Sequence, residues 1–189
     1  VKLLALGDSL VAGYGLGTEE SFPFVLQQRL AEDGYDVTVI NGGVSGDTSR
    51  GGLGRLDWLF ADNPDVLLVE LGANDGLRGL PPEDTEANLR AILERADAEA
   101  MPVVFTGMMA PPNLGRDYAD AFNAVYPKLA EEFDVFFYPF FLDGVAAELD
   151  LNLSDGMHPN AAGVEVIVER ILPTVMDAIG ALDMEASGS

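Results

Sequence analysis

Five short apolar runs, each followed by a loop of turn-forming residues and then by helical periodicity, leave this chain few folds to choose from. The runs are Val1 to Leu6, Tyr35 to Ile40, Asp65 to Leu71, Pro102 to Thr106 and Val135 to Tyr138. They are too short for helices, and Val1 to Leu6 is almost wholly apolar, as a strand covered on both faces must be. Between them, apolar residues recur at helical spacing: Phe24, Val25, Leu26 and Leu30, then Leu53, Leu56, Trp58, Leu59 and Phe60, then Leu89, Ile92, Leu93 and Ala96. The pattern predicts helices from Thr18 to Gly34, from Thr48 to Phe60, from Glu83 to Ala100, from Tyr118 to Phe133 and from Pro159 to about Ile179, the last passing Pro173. Strand alternating with helix gives parallel neighbours joined by crossovers, hence a three-layer α/β fold around a parallel sheet. Residues 1–183 are expected to form a single domain, with 184–189 as a frayed tail.

In sheets of this kind ligands bind in the crevice at the carboxyl ends of the strands. The loops to inspect are therefore those after the first three runs. The first is Gly7-Asp8-Ser9-Leu10, continuing through the glycine-rich stretch Val11 to Gly17, which reads as a loop around the serine. Serine is common in turns because its hydroxyl bonds the local backbone. The G-x-S-x-G elbow is absent, since Val11 stands two residues after Ser9. Dinucleotide binding needs G-x-G-x-x-G here, and Gly13-Tyr14-Gly15-Leu16-Gly17-Thr18 matches it only in part.

The chain has a single histidine, His158, in Ser154-Asp155-Gly156-Met157-His158-Pro159-Asn160. Asp155 lies three residues before it among turn formers, so one compact loop can hold carboxylate and imidazole together. The carboxylate would accept the Nδ1 proton and leave Nε2 free as a base, which is what a serine hydroxyl at the crevice needs to become a nucleophile. Acyl transfer also requires donors for the oxyanion. Gly46 in the second loop and Asn74 in the third can supply a backbone N–H and a side-chain NH₂, alongside the N–H of Ser9.

Together, Gly7-Asp8-Ser9-Leu10, Ser45-Gly46-Asp47-Thr48, Gly72-Ala73-Asn74-Asp75 and Asp155-Gly156-Met157-His158-Pro159 resemble, in order, the four sequence blocks of the SGNH (GDSL) hydrolases. The stretches Val69 to Gly79 and Tyr126 to Val135 are similar to the branch of bacterial multifunctional thioesterases, lysophospholipases and arylesterases. The resemblance implies a flavodoxin-like fold with a five-stranded parallel sheet. It also implies a triad of Ser9, Asp155 and His158, and an oxyanion hole of Ser9, Gly46 and Asn74. No metal or organic cofactor is implied. Leu77, Leu80, Met108, Met109 and Pro112 are the candidate acyl-binding wall.

Charge narrows the partners. With 32 acidic against 10 basic residues the net charge is −22, a field that repels phosphodiester backbones and anionic membranes. The expected partner is a small acyl ester or thioester, not nucleic acid, and no run approaches the ~20 apolar residues that span a bilayer. Cysteine is absent, which excludes disulfides and thiolate chemistry. The chain is expected to be soluble, periplasmic or secreted if a signal peptide was removed, otherwise cytoplasmic. Rival readings are a lysophospholipase, a carbohydrate O-deacetylase or an acyltransferase with the same triad, and a non-catalytic binding domain.

Overall fold

The computed structural model describes residues 1–187, with side chains described for residues 1–182. Strands β1 (Lys2–Gly7), β2 (Thr38–Gly43), β3 (Val66–Glu70), β4 (Val103–Thr106) and β5 (Phe136–Tyr138) form one sheet in the order β2-β1-β3-β4-β5. All neighbouring pairs are parallel, as the alternation of strand and helix predicts. Leu3, Leu4 and Leu6 of β1 and Leu67 and Leu68 of β3 are fully buried. Each such side chain contributes roughly 1.5–3 kcal/mol on leaving water, so the central strands anchor the fold while β2 and β5 form its edges.

The helices are α1 (Ser9–Ala12), α2 (Phe22–Glu32), α3 (Ser49–Phe60), α4 (Ala73–Leu77), α5 (Pro82–Asp97), α6 (Arg116–Glu132) and α7 (Ala161–Ser187). α2 packs on α7, and α5 packs on both α3 and α6, giving the helix layers on the two sides of the sheet. The periodicity of α5 is borne out, with Leu89, Ile92, Leu93 and Ala96 all buried. Trp58 is not part of the buried stripe of α3; it is 77% exposed.

Four local expectations are corrected. Ser9 is not in an open loop but opens the single turn α1, because the Asp8 side chain accepts the Leu10 N–H at 3.0 Å and caps it. Thr18 does not cap the next helix. Thr18–Glu20 is a separate 3₁₀ turn, and α2 starts at Phe22. Strand β2 runs three residues later than its apolar pattern suggested. The cap of α2 holds Tyr35, whose N–H bonds Leu30 O at 2.9 Å, and Gly42 and Gly43 join the strand instead of ending it. Gly43 is there because α1 crosses it: a Cβ would lie 2.2 Å from Ala12 N, a backbone atom that cannot step aside. The helix α7 continues to Ser187, past the end expected near Ile179. The tail expected over 184–189 falls on residues whose side chains, and for 188 and 189 the backbone too, lie outside the described set.

This strand order places the carboxyl ends of β1 and β3 side by side, with Gly7 opposite Glu70. The chain leaves β1 in one direction toward β2 and later proceeds in the other toward β4 and β5, which opens a crevice at this point. Among the described residues no helix is long and apolar enough to cross a membrane.

Candidate active site

Ser9 is the first residue after the Asp8 cap, so its side chain stands at the top of β1 while its N–H belongs to the free amino end of α1. That N–H has no acceptor among the described residues. The Ser9 hydroxyl lies 2.9 Å from His158 Nε2, across 149 residues of sequence.

The loop that delivers His158 is built as a tight clasp. Asn152 and Pro159 bridge antiparallel, and Leu153 N–H bonds His158 O at 2.7 Å. Within it, Asp155 Oδ1 accepts the N–H groups of Met157 (2.9 Å) and His158 (3.0 Å), and Asp155 Oδ2 lies 2.6 Å from His158 Nδ1. Those two backbone donors, then the imidazole, hold the Asp155 carboxyl down at about 2. It therefore stays an acceptor at any pH where the protein works, and it sets the tautomer that leaves Nε2 facing Ser9. On its other side the imidazole packs against the Tyr14 ring, with centroids 4.4 Å apart.

Gly46 and Asn74 reach the same cavity from the ends of β2 and β3. Gly46 has φ +83, a left-handed conformation that favours glycine. Its carbonyl accepts Arg78 Nη2 at 2.8 Å, and its N–H has no acceptor among the described residues. The loop is clamped from below by Arg55. Its Nε donates to Asp47 at 2.7 Å, and its other nitrogens donate to Gly42 O and Gly7 O at 2.6 and 2.8 Å. Asn74 sits in the first turn of α4, and its Nδ2 donates to Asp8 Oδ2 at 3.0 Å and Asp47 O at 2.9 Å. All five expected site residues thus meet at one place.

Sequence reasoning missed the supporting acids. Asp8 is 1% exposed and Glu70 fully buried, and Glu70 Oε2 accepts the Asp8 N–H at 3.3 Å. A glutamate inside the apolar run Val66-Leu67-Leu68-Val69-Glu70-Leu71 was the signal available. Burial pushes the Asp8 carboxyl up to about 6, and burial together with the Asp8 charge pushes Glu70 well above the usual carboxylate range. A raised carboxyl binds its proton more tightly folded than unfolded, so its contribution to stability is lost as pH rises through that interval. For Asp8 the interval runs from 3.8 to about 6, and the loss is on the order of 3 kcal/mol. Urea unfolding of the wild type and Asp8→Asn is expected to show their stability difference shifting against the wild type from pH 4 to 6, then levelling. A difference constant from pH 4 to 7 would show that this carboxyl does not titrate there.

The cavity above these residues measures about 580 Å³. Leu77, Met108 and Met109 line it as expected; Leu80 and Pro112 do not, and Ala110 and Pro111 take their place. Leu80 is held away because its carbonyl accepts the Tyr118 hydroxyl at 2.7 Å, and Pro112 is exposed in a 3₁₀ turn. Phe140, Leu142, Ala146 and Ala147 complete the apolar wall from the segment after β5, whose turns carry no periodicity to read. Among the described residues no group of three or more histidine or acidic side chains is placed to hold a metal ion.

Residues 5–166 match the model of the GDSL-like lipase/acylhydrolase family. The chain is 46% identical over 169 residues to the arylesterase of Vibrio mimicus, covering 89% of this chain and 84% of that protein. It is 44% identical over 159 residues to the thioesterase 1/protease 1/lysophospholipase L1 of Escherichia coli strain K12, covering 84% of this chain and 75% of that one. The crystal structure of TesA superposes with a TM-score of 0.89 at 41% identity, over 94% of this chain and 99% of that chain.

Proposed function

This chain belongs to the GDSL-like lipase/acylhydrolase family, and we propose that Ser9, His158 and Asp155 are the triad with which it cleaves acyl esters and thioesters. The enzyme is an ester-hydrolysing serine hydrolase of the esterase/thioesterase kind. The observation that carries the assignment of atoms is the continuous relay from Ser9 Oγ through His158 Nε2 and Nδ1 to Asp155, at 2.9 and 2.6 Å, in the floor of an apolar cavity.

In this reading Ser9 Oγ attacks the substrate carbonyl as His158 Nε2 takes its proton, and Asp155 stabilises the imidazolium. The negative oxygen of the tetrahedral intermediate is held by the N–H groups of Ser9 and Gly46 and by Asn74 Nδ2. Collapse passes the proton from His158 to the leaving alcohol or thiol and leaves an acyl group on Ser9. Water then attacks along the same path, and Ser9 recovers its proton as the acid departs. No step requires a cofactor.

The wall of Leu77, Met108, Met109, Phe140 and Leu142 supports short to medium acyl or aryl groups. The net charge of −22 supports neutral leaving groups over polyanionic ones. We expect kcat/KM for an acyl-CoA, whose phosphates are repelled, to rise as salt goes from 10 to 150 mM, a range in which the Debye length falls from roughly 30 to 8 Å. The value for a neutral p-nitrophenyl ester is expected to stay within about twofold. Equal salt responses for the two substrates would remove charge as a selector.

A further inference from the structure

Glu70 ends β3 directly opposite Gly7, with its side chain lying over that residue: a Cβ added at Gly7 would be 2.8 Å from Glu70 Oε2. It is fully buried, and Oε1 has no hydrogen-bond partner among the described residues. An ionised carboxylate so placed would forfeit its hydration with one long N–H bond in return. Glu70 Oε2 accepts the backbone N–H of Asp8 at 3.3 Å, and the surroundings of the two acids differ sharply. Asp8 accepts the Leu10 N–H on one oxygen and Asn74 Nδ2 on the other, at 3.0 Å each, with His158 on the cavity side.

We propose that Glu70 holds a proton at neutral pH and acts as a positioning residue, its un-ionised carboxyl accepting the Asp8 N–H and so fixing the Asp8 carboxylate that holds the Asn74 amide at the oxyanion site. Two bound donors favour the charge on Asp8, and the orphaned oxygen favours the proton on Glu70. The other titratable groups near the pair do not reverse this. Asp75 of α4 is an acid, and Tyr126 and Tyr118 of α6 are phenols pushed up by burial and then by the neighbouring acids. The Arg55 guanidinium spends its donors on Asp47, Gly42 O and Gly7 O. The chemical consequence is one negative charge behind the oxyanion instead of two. A second would oppose the charge that develops in the transition state.

The inference rests on the triad reading above and is tested so that the two fail separately. Glu70→Gln keeps a donor and an acceptor in the same shape, and is expected to retain kcat within about threefold. Glu70→Leu removes the acceptor of the Asp8 N–H and is expected to lower kcat by roughly tenfold to a hundredfold, with KM within about twofold. The infrared difference spectrum of wild type minus Glu70→Gln at pH 7 is expected to show the carbonyl band of an un-ionised carboxylic acid. Undiminished turnover in Glu70→Leu, an equal loss in Glu70→Gln, or absence of that band would overturn the proposal. Glu70→Met serves as the second variant without a carboxyl if Glu70→Leu does not fold. Stoichiometric labelling of the wild type by an organophosphonate tests the triad alone: if it fails, the triad reading falls whatever Glu70 does.

Discussion

Replacing Ser9 with alanine is expected to lower kcat on a p-nitrophenyl ester by about 10⁴-fold or more, with little change in KM. The magnitude follows from what survives the change. Among the described residues the hydroxyl of Ser9 is bonded only to His158 Nε2, so its loss removes the nucleophile without exposing a buried group or opening the core. The cavity wall, the Gly46 loop and the His158–Asp155 pair all remain, and they can still bind the ester and orient a water. Members of a triad act as a unit, so a serine knockout leaves only the contribution of binding and of the oxyanion donors. Labelling by an organophosphonate is expected to fall from one per chain to none. A Ser9→Ala enzyme that kept a hundredth of its turnover, or was still labelled stoichiometrically, would move the nucleophile elsewhere.

How much of this was readable in the sequence depends on how local each cause is. Strands β1, β3 and β4 were legible because each is a buried apolar run, and helix α5 because its stripe repeats at helical spacing. The end of β2 was not, since Asn41-Gly42-Gly43 looks like a terminator until α1 is seen to press on it. Asp155 and His158 were legible because the clasp joining them spans three residues. The Asp8–Glu70 contact spans 62 residues, and the Arg55 clamp on Gly7 spans 48. Contacts at such separations leave only an oddity in the sequence, an acid inside an apolar strand or an arginine midway along a helix. The cavity wall after β5 was illegible for another reason: its residues are placed by turns and not by a repeating pattern.

Replacing Asn74 with alanine is expected to lower kcat by about 10²–10³-fold while leaving KM nearly unchanged, the signature of an interaction made mainly in the transition state. The resting structure refines what that number means. Both Nδ2 hydrogens already have acceptors, the Asp8 carboxylate and the Asp47 carbonyl, so an oxyanion must share or displace one of them. Of the two, the Asp47 carbonyl is the neutral acceptor, and its bond is the one an arriving oxyanion can outcompete. The Asp8 bond then keeps the amide aimed at the cavity while the other hydrogen turns to the substrate. Asn74→Asp separates this from simple loss of packing. It keeps the volume but sets a carboxylate against Asp8 and the oxyanion, and is expected to fall below the alanine variant in kcat. If Asn74→Ala turned over at the wild-type rate, the amide would be only a strut between the first and second loops, and the N–H groups of Ser9 and Gly46 would have to hold the oxyanion by themselves.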